Sequence, residues 1–142
     1  MKQRPRFQLN RAAVVLHYKQ PYVDWVQIAG PDPLSEYSLA EANDDGEIFL
    51  IPSFDSPVAP VDGTEDAIKW VEKRWKMFFE HILEEWIQDE SAWPPKRTLK
   101  MFREWFNVEY SSIVWDMGHE PLSIDEWVDD DELDEIDRSA LH

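Results

Sequence analysis

The spacing of apolar positions changes several times along this chain, and each change predicts an element. Residues 11–18, RAAVVLHY, are β-branched and apolar with little interruption, the pattern of a strand covered on both faces. In the following KQPYVDWVQIAG, Pro21 suits a first helical turn and Gly30 a stop. Tyr22, Trp25, Val26 and Ile28 are the expected apolar side of that helix. Ser38 and Glu41 stand at capping-box spacing, which predicts one or two helical turns. Asp45-Gly46 marks a turn, and EIFLIP, 47–52, predicts a second strand ended by Pro52.

The strongest periodicity runs from Thr64 to about Gln88. Thr64 is the expected N-cap, and Glu65 and Asp66 complement the positive end of a helix. At 100° per residue, Ile68, Val71, Trp75, Phe78, Phe79, Ile82 and Trp86 share one broad face, with Lys69, Lys73, Lys76, Glu80 and Glu84 elsewhere. Pro94-Pro95 then halts any helix. KRTLKMFREWF predicts another, with Leu99, Phe102 and Phe106 on its core side, and VEYSSIVW, 108–115, predicts a third strand. Ser123 and Glu126 repeat the capping-box spacing, so the tail is expected to begin as a helix.

These elements define an α+β fold, with no repeat at solenoid or propeller spacing. Its small, mostly antiparallel three-stranded sheet (about 11–18, 47–52, 108–115) is packed by a long helix (about 65–88) and shorter ones. Residues 1–10 form a basic arm, 11–118 a single domain, and 119–142 an acidic, partly helical tail.

Charge narrows the range of functions. The net charge is −16 over 142 residues, and it is uneven. The first 23 residues hold five Lys or Arg and no acid, whereas the last 24 hold ten acids against Arg138 alone. Nucleic-acid affinity rests on neutralising phosphates, so this field argues against nucleic acid and against anionic membranes. It suits a basic protein partner, whose association it would steer. No apolar window approaches ~18 residues, so no membrane helix is expected. The basic N-terminus has only a short apolar run and no small-residue cleavage site, so no secretory signal is expected. The absence of cysteine removes disulfides and thiolates and fits the cytoplasm.

Three segments carry a resemblance: LNRAAVVLHYKQPYVDWV, EIFLIPSFD and DESAWPPKRTLKMFREWFNVEYSSIVWDMG. Their LNRAA opening, KQP-x-x-DW step, LIP strand, DES-x-WP turn and EWF entry resemble a group of short uncharacterised bacterial proteins, some labelled VacJ-like. The resemblance covers 9–118 and implies a conserved domain; it supplies no activity and no catalytic residues.

Chemistry leaves few marks. The four glycines, at 30, 46, 63 and 118, form neither a nucleophile elbow nor a phosphate-cradling loop, and no cofactor is expected. His17, His81 and His119 are the candidate metal ligands, His81 with its helical neighbours Glu84 and Glu85, but neither His-Glu-x-x-His nor Glu-x-x-His occurs, and no metal is expected. DDDELDE lacks the glycine and spacing of a calcium loop. Asp24 beside Trp25 is the one carboxylate whose setting invites desolvation. An enzyme would draw on His17, Asp24 and Glu80 or His81, in a small hydrolase-like site.

Binding is the favoured reading. Trp70, Met77 and His81 fall opposite the core face of the long helix, and Met101 and Trp105 are an i,i+4 pair off the next helix's core side. Indoles and thioethers outside an apolar stripe are candidate interface anchors. These five residues are the expected partner surface of a non-catalytic interaction module, open to a basic protein or to a second copy. An inhibitor or antitoxin that neutralises a basic partner is one concrete form of it.

Overall fold

The computed structural model describes residues 6–29, 36–44 and 46–127, and all structural statements refer to these. The element order is β1 (Phe7–Gln8), β2 (Arg11–Tyr18), α1 (Gln20–Ile28), α2 (Leu39–Asp44), β3 (Ile48–Pro52), α3 (Thr64–Lys73), α4 (Trp75–Trp86), α5 (Leu99–Trp105), β4 (Phe106–Ser111) and β5 (Trp115–Asp116). A 3₁₀ turn at Glu90–Ala92 precedes the double proline. The α+β class stands.

β2 is the central strand of a three-stranded antiparallel sheet ordered β3-β2-β4. Val14 stands opposite both Phe49 and Tyr110, and Leu16 opposite Val108. Because strand side chains alternate, Ala12, Val14, Leu16 and Tyr18 point to the helical layer with Phe49, Ile51 and Phe106. The other face carries Val15, His17, Ile48, Leu50 and Glu109, with Ile48 and Leu50 exposed. Helices therefore cover one side of the sheet, not both as the uninterrupted apolar run of β2 had implied.

Three boundaries differ from expectation for physical reasons. The long helix is two helices: Arg74 leaves the helical region, and its N–H turns back to the Val71 carbonyl, separating α3 from α4. Gly63, not Thr64, is the N-cap, at φ +114°, a conformation that favours glycine. The third strand ends at Ser111, and Trp115 crosses to pair with Gln8 in a separate two-stranded ladder. On α1, Val23 takes the buried place expected of Ile28, which is exposed. Two forecasts near the cappings also resolve. Ser38 Oγ accepts from Glu41 N–H at 3.1 Å, as capping-box spacing requires. Residues 121–127 carry no helix, so the second capping box opens none there, and the rest of the tail lies outside the described residues.

The densest packing is aromatic. Phe79 is fully buried, with ring centroids 6.1 Å from Phe102, 5.2 Å from Trp105 and 5.3 Å from Phe106. Trp25 and Tyr22 extend this cluster from α1, at 6.1 and 6.4 Å from Trp105. Each such pair adds about 0.5–1.5 kcal/mol beyond the area it removes from water. Trp25 Nε1 donates to the Ala92 carbonyl and Trp93 Nε1 to the Ile87 carbonyl, so both indoles are buried with a satisfied polar edge.

Candidate functional site

Beside this core, α1, α2, β2, β3 and α4 leave a pocket of about 260 Å³. Its walls are Tyr18, Tyr22, Tyr37 and Trp86, with Ala42, Gly46 and Ile82 between them and the carboxylates of Glu47 and Glu85. The chain builds it from short-range rules. Asn43, near the end of α2, accepts from Tyr18 N–H at 2.8 Å and donates to the Tyr18 carbonyl at 3.0 Å. That reciprocal pair locks α2 against the end of β2, past Val15, the last residue that pairs with β3. Gln27 Nε2 donates to the Tyr37 carbonyl at 2.7 Å, fixing the entry to α2 from the α1 side. Tyr18 and Tyr22 stack at 4.1 Å, and Tyr37 stacks on Trp86 at 6.0 Å.

The polar side comes from α4 and the residue before β3. His81 and Glu85 are one helical turn apart, so they share a face. His81 Nε2 lies 3.0 Å from Glu85 Oε1 and 3.2 Å from Glu47 Oε2. The imidazole also meets Phe49 edge-on at 5.5 Å, which holds its plane. Burial raises the Glu47 carboxyl to about 7, the Glu85 carboxylate reinforces the rise by hydrogen bond and charge, and His81 opposes it. Burial, neighbouring tyrosines and the same two glutamates push the Tyr22 phenol well above its ordinary range. The pocket is thus short of positive charge.

The structure redistributes the residues singled out in the sequence. Trp105 is only 8% exposed and is a core residue, so it cannot anchor a partner. The reason is that α5 is packed between α1 and α4, and a helix buried on two sides hides residues off its main apolar stripe. Met101 and Trp70 are partly buried against the same core. The Arg74 guanidinium lies 3.8 Å over the Trp70 ring, and Phe78 meets that ring at 6.1 Å. Met77 and His81 are exposed. The five residues do not form one accessible indole–thioether patch.

The enzyme alternative is also scattered. His17 projects from the open sheet face and pairs with Glu109, whereas His81 lies on the helical side. Asp24 sits on the exposed side of α1 and accepts from Gln20 Nε2 at 2.8 Å. Glu80 pairs with Arg97 at 3.4 Å. His17, Asp24 and His81 therefore do not assemble one catalytic group. His81 alone among them reaches the pocket, through its contacts with Glu47 and Glu85.

Sequence reasoning placed Glu85 near His81 but missed Glu47, which is 34 residues from His81 in sequence. The only available signal was its position between the Asp45-Gly46 turn and an apolar strand, where a side chain is forced over the adjoining helix. No protein-family model, curated protein or solved structure matches the chain.

Proposed function

We propose that the protein is a non-catalytic binding module for a basic protein partner, and that a lysine or arginine head of that partner enters the Tyr18–Tyr22–Tyr37–Trp86 pocket against Glu47 and Glu85. The observation that carries this reading is the combination of four aromatic walls with two adjacent carboxylates in one cavity. An ammonium or guanidinium over an aromatic face gains about 0.5–1 kcal/mol when exposed and about 2 or more when desolvated. The two glutamates, which repel one another, gain a counter-charge. At about 260 Å³ the cavity suits a side-chain head rather than a larger ligand.

The long-range field supports the same partner. A chain of net charge −16 attracts a basic surface before contact and so raises the association rate. A homodimer through Trp70, Met77, Met101 and Trp105 loses its anchor with the burial of Trp105. A cytoplasmic setting belongs to this proposal, and a cysteine-free chain is compatible with a reducing compartment.

The test is fluorescence anisotropy of a labelled lysine-rich peptide at about 0.01 M and about 1 M salt, between which the Debye length falls from about 30 Å to about 3 Å. The reading expects binding at low salt, weakening at high salt, and a loss of at least about tenfold in the E47Q/E85Q double variant, since about 1.4 kcal/mol is tenfold. Peptide binding that the double variant leaves unchanged would assign the attraction to the general surface charge and remove the pocket from the account.

A further inference from the structure

The geometry of Glu47, His81 and Glu85 points to a second kind of cation: we propose that these three side chains form a divalent transition-metal site, with Zn²⁺ as its best-suited occupant. One donor atom from each residue lies within 4.8 Å of the other two. Two of the separations are known more closely, 3.0 Å from His81 Nε2 to Glu85 and 3.2 Å from His81 Nε2 to Glu47. A metal that holds its donors at about 2.0–2.1 Å keeps neighbouring donors roughly 3.3 Å apart in a tetrahedron and roughly 2.9 Å apart in an octahedron. Both observed separations fall in that interval. Two sides of the triangle therefore already have the span of metal coordination.

The arrangement differs from a surface cluster of acids. Its donors are mixed, one imidazole nitrogen and two carboxylate oxygens. That set suits Zn²⁺ and its transition-metal neighbours better than the all-oxygen cations. Two of the three ligands stand at i and i+4 on α4, the spacing by which a helix presents two donors to one metal. The third is carried in by β3, whose first residue, Ile48, is paired with Val15 of the central strand. Phe49, next along that strand, meets the imidazole edge-on and limits its rotation. Both carboxylates approach the same Nε2, so the three side chains face one shared point.

Three protein ligands leave at least one coordination position for water or a small ligand, as in zinc sites that are not purely structural. Glu47 and Glu85 also line the aromatic pocket, so metal and basic side chain draw on the same negative charge. The two occupants compete. Zinc bound here would close the pocket to a lysine head, and the metal site stands or falls without any partner being present.

The test is isothermal titration calorimetry of ZnCl₂ into the chelator-stripped full chain, without peptide, for wild type and the E47Q, H81A, E85Q and H119A variants. Loss of a ligand costs at least the roughly 10–100-fold in affinity that loss of a supporting group costs. The proposal expects one zinc per chain at the triad, affinity reduced by at least about tenfold in each triad variant, and no change in H119A. Thermal melts of the same variants without metal show that each is folded. Zinc-induced stabilisation, expected for wild type and lost in the triad variants, gives a second readout. Absence of saturable zinc binding, or binding that the triad variants leave unchanged, overturns the proposal. Peptide binding measured in chelator reports separately on the pocket reading.

Discussion

Two aromatic clusters lie side by side in this protein and do different work. The first, Tyr22, Trp25, Phe79, Phe102, Trp105 and Phe106, is closed, and the Trp25 indole within it donates to the Ala92 carbonyl. The second, Tyr18, Tyr37 and Trp86, shares Tyr22 with the first but faces Glu47, Glu85 and an open volume. Aromatic density is the same signal in both. What separates them is the neighbourhood: the first cluster is closed in by its own rings, and the second borders two carboxylates and an open volume.

That contrast can be broken first at a pair of tryptophans. Trp105→Ala empties a buried site among Trp25, Phe79 and Phe106 and should cost about 3–5 kcal/mol in denaturant unfolding. A loss under about 1 kcal/mol would mean that the closed cluster is not the core. Asn43→Ala removes both hydrogen bonds to the Tyr18 backbone and should cost about 1–3 kcal/mol, because it leaves part-buried partners unpaired. The same change should loosen the pocket wall, read as weaker peptide binding. An unaffected peptide affinity would detach α2 from the site.

Trp86→Ala is the counterpart on the open side. Trp86 is 37% exposed, against 8% for Trp105, so its removal should cost clearly less stability than Trp105→Ala while peptide affinity falls. The reverse pattern would make Trp86 a structural residue.

How far the sequence revealed all this depends on the range of the signal. β2 was legible to the residue, because the apolar and β-branched run from Ala12 to Leu16 at its centre needs no distant information. The same run misled on the sheet's outer face, where Val15 is only half-buried and its neighbours Ile48 and Leu50 are exposed. Trp105 escapes the periodicity because α5 packs on both α1 and α4, so that its buried side is wider than the Leu99–Phe102–Phe106 stripe and only Lys100, Arg103 and Glu104 face solvent. The Arg74 break leaves no local signature, since no proline or glycine accompanies it. The triad was the least legible feature. His81 and Glu85 declare themselves by spacing, but Glu47 is one of thirty acids until the fold brings it to them.

The smallest expected effect is a pH dependence. The folded chain holds the Glu47 proton up to about 7, against an ordinary value of 4.5. Between those values the folded state binds more protons than the unfolded one, so this group's contribution is present below pH 4.5 and lost as pH rises through about 7. Glu47 is partly solvated, which keeps the effect modest. E47Q should therefore gain in melting temperature relative to wild type as pH rises through that window. A difference that stays flat, or shrinks, would show that burial and Glu85 do not raise the Glu47 carboxyl.

The central claim is that Glu47 and Glu85 stand together for a cation, not for the fold. The most direct measurement is the stability of the E47Q/E85Q double variant in chelator at about pH 8, where the two carboxylates repel most, compared with its affinity for the lysine-rich peptide. The account predicts a protein as stable as wild type, or more so, that has lost peptide binding. A clear loss of stability with peptide binding intact would contradict it.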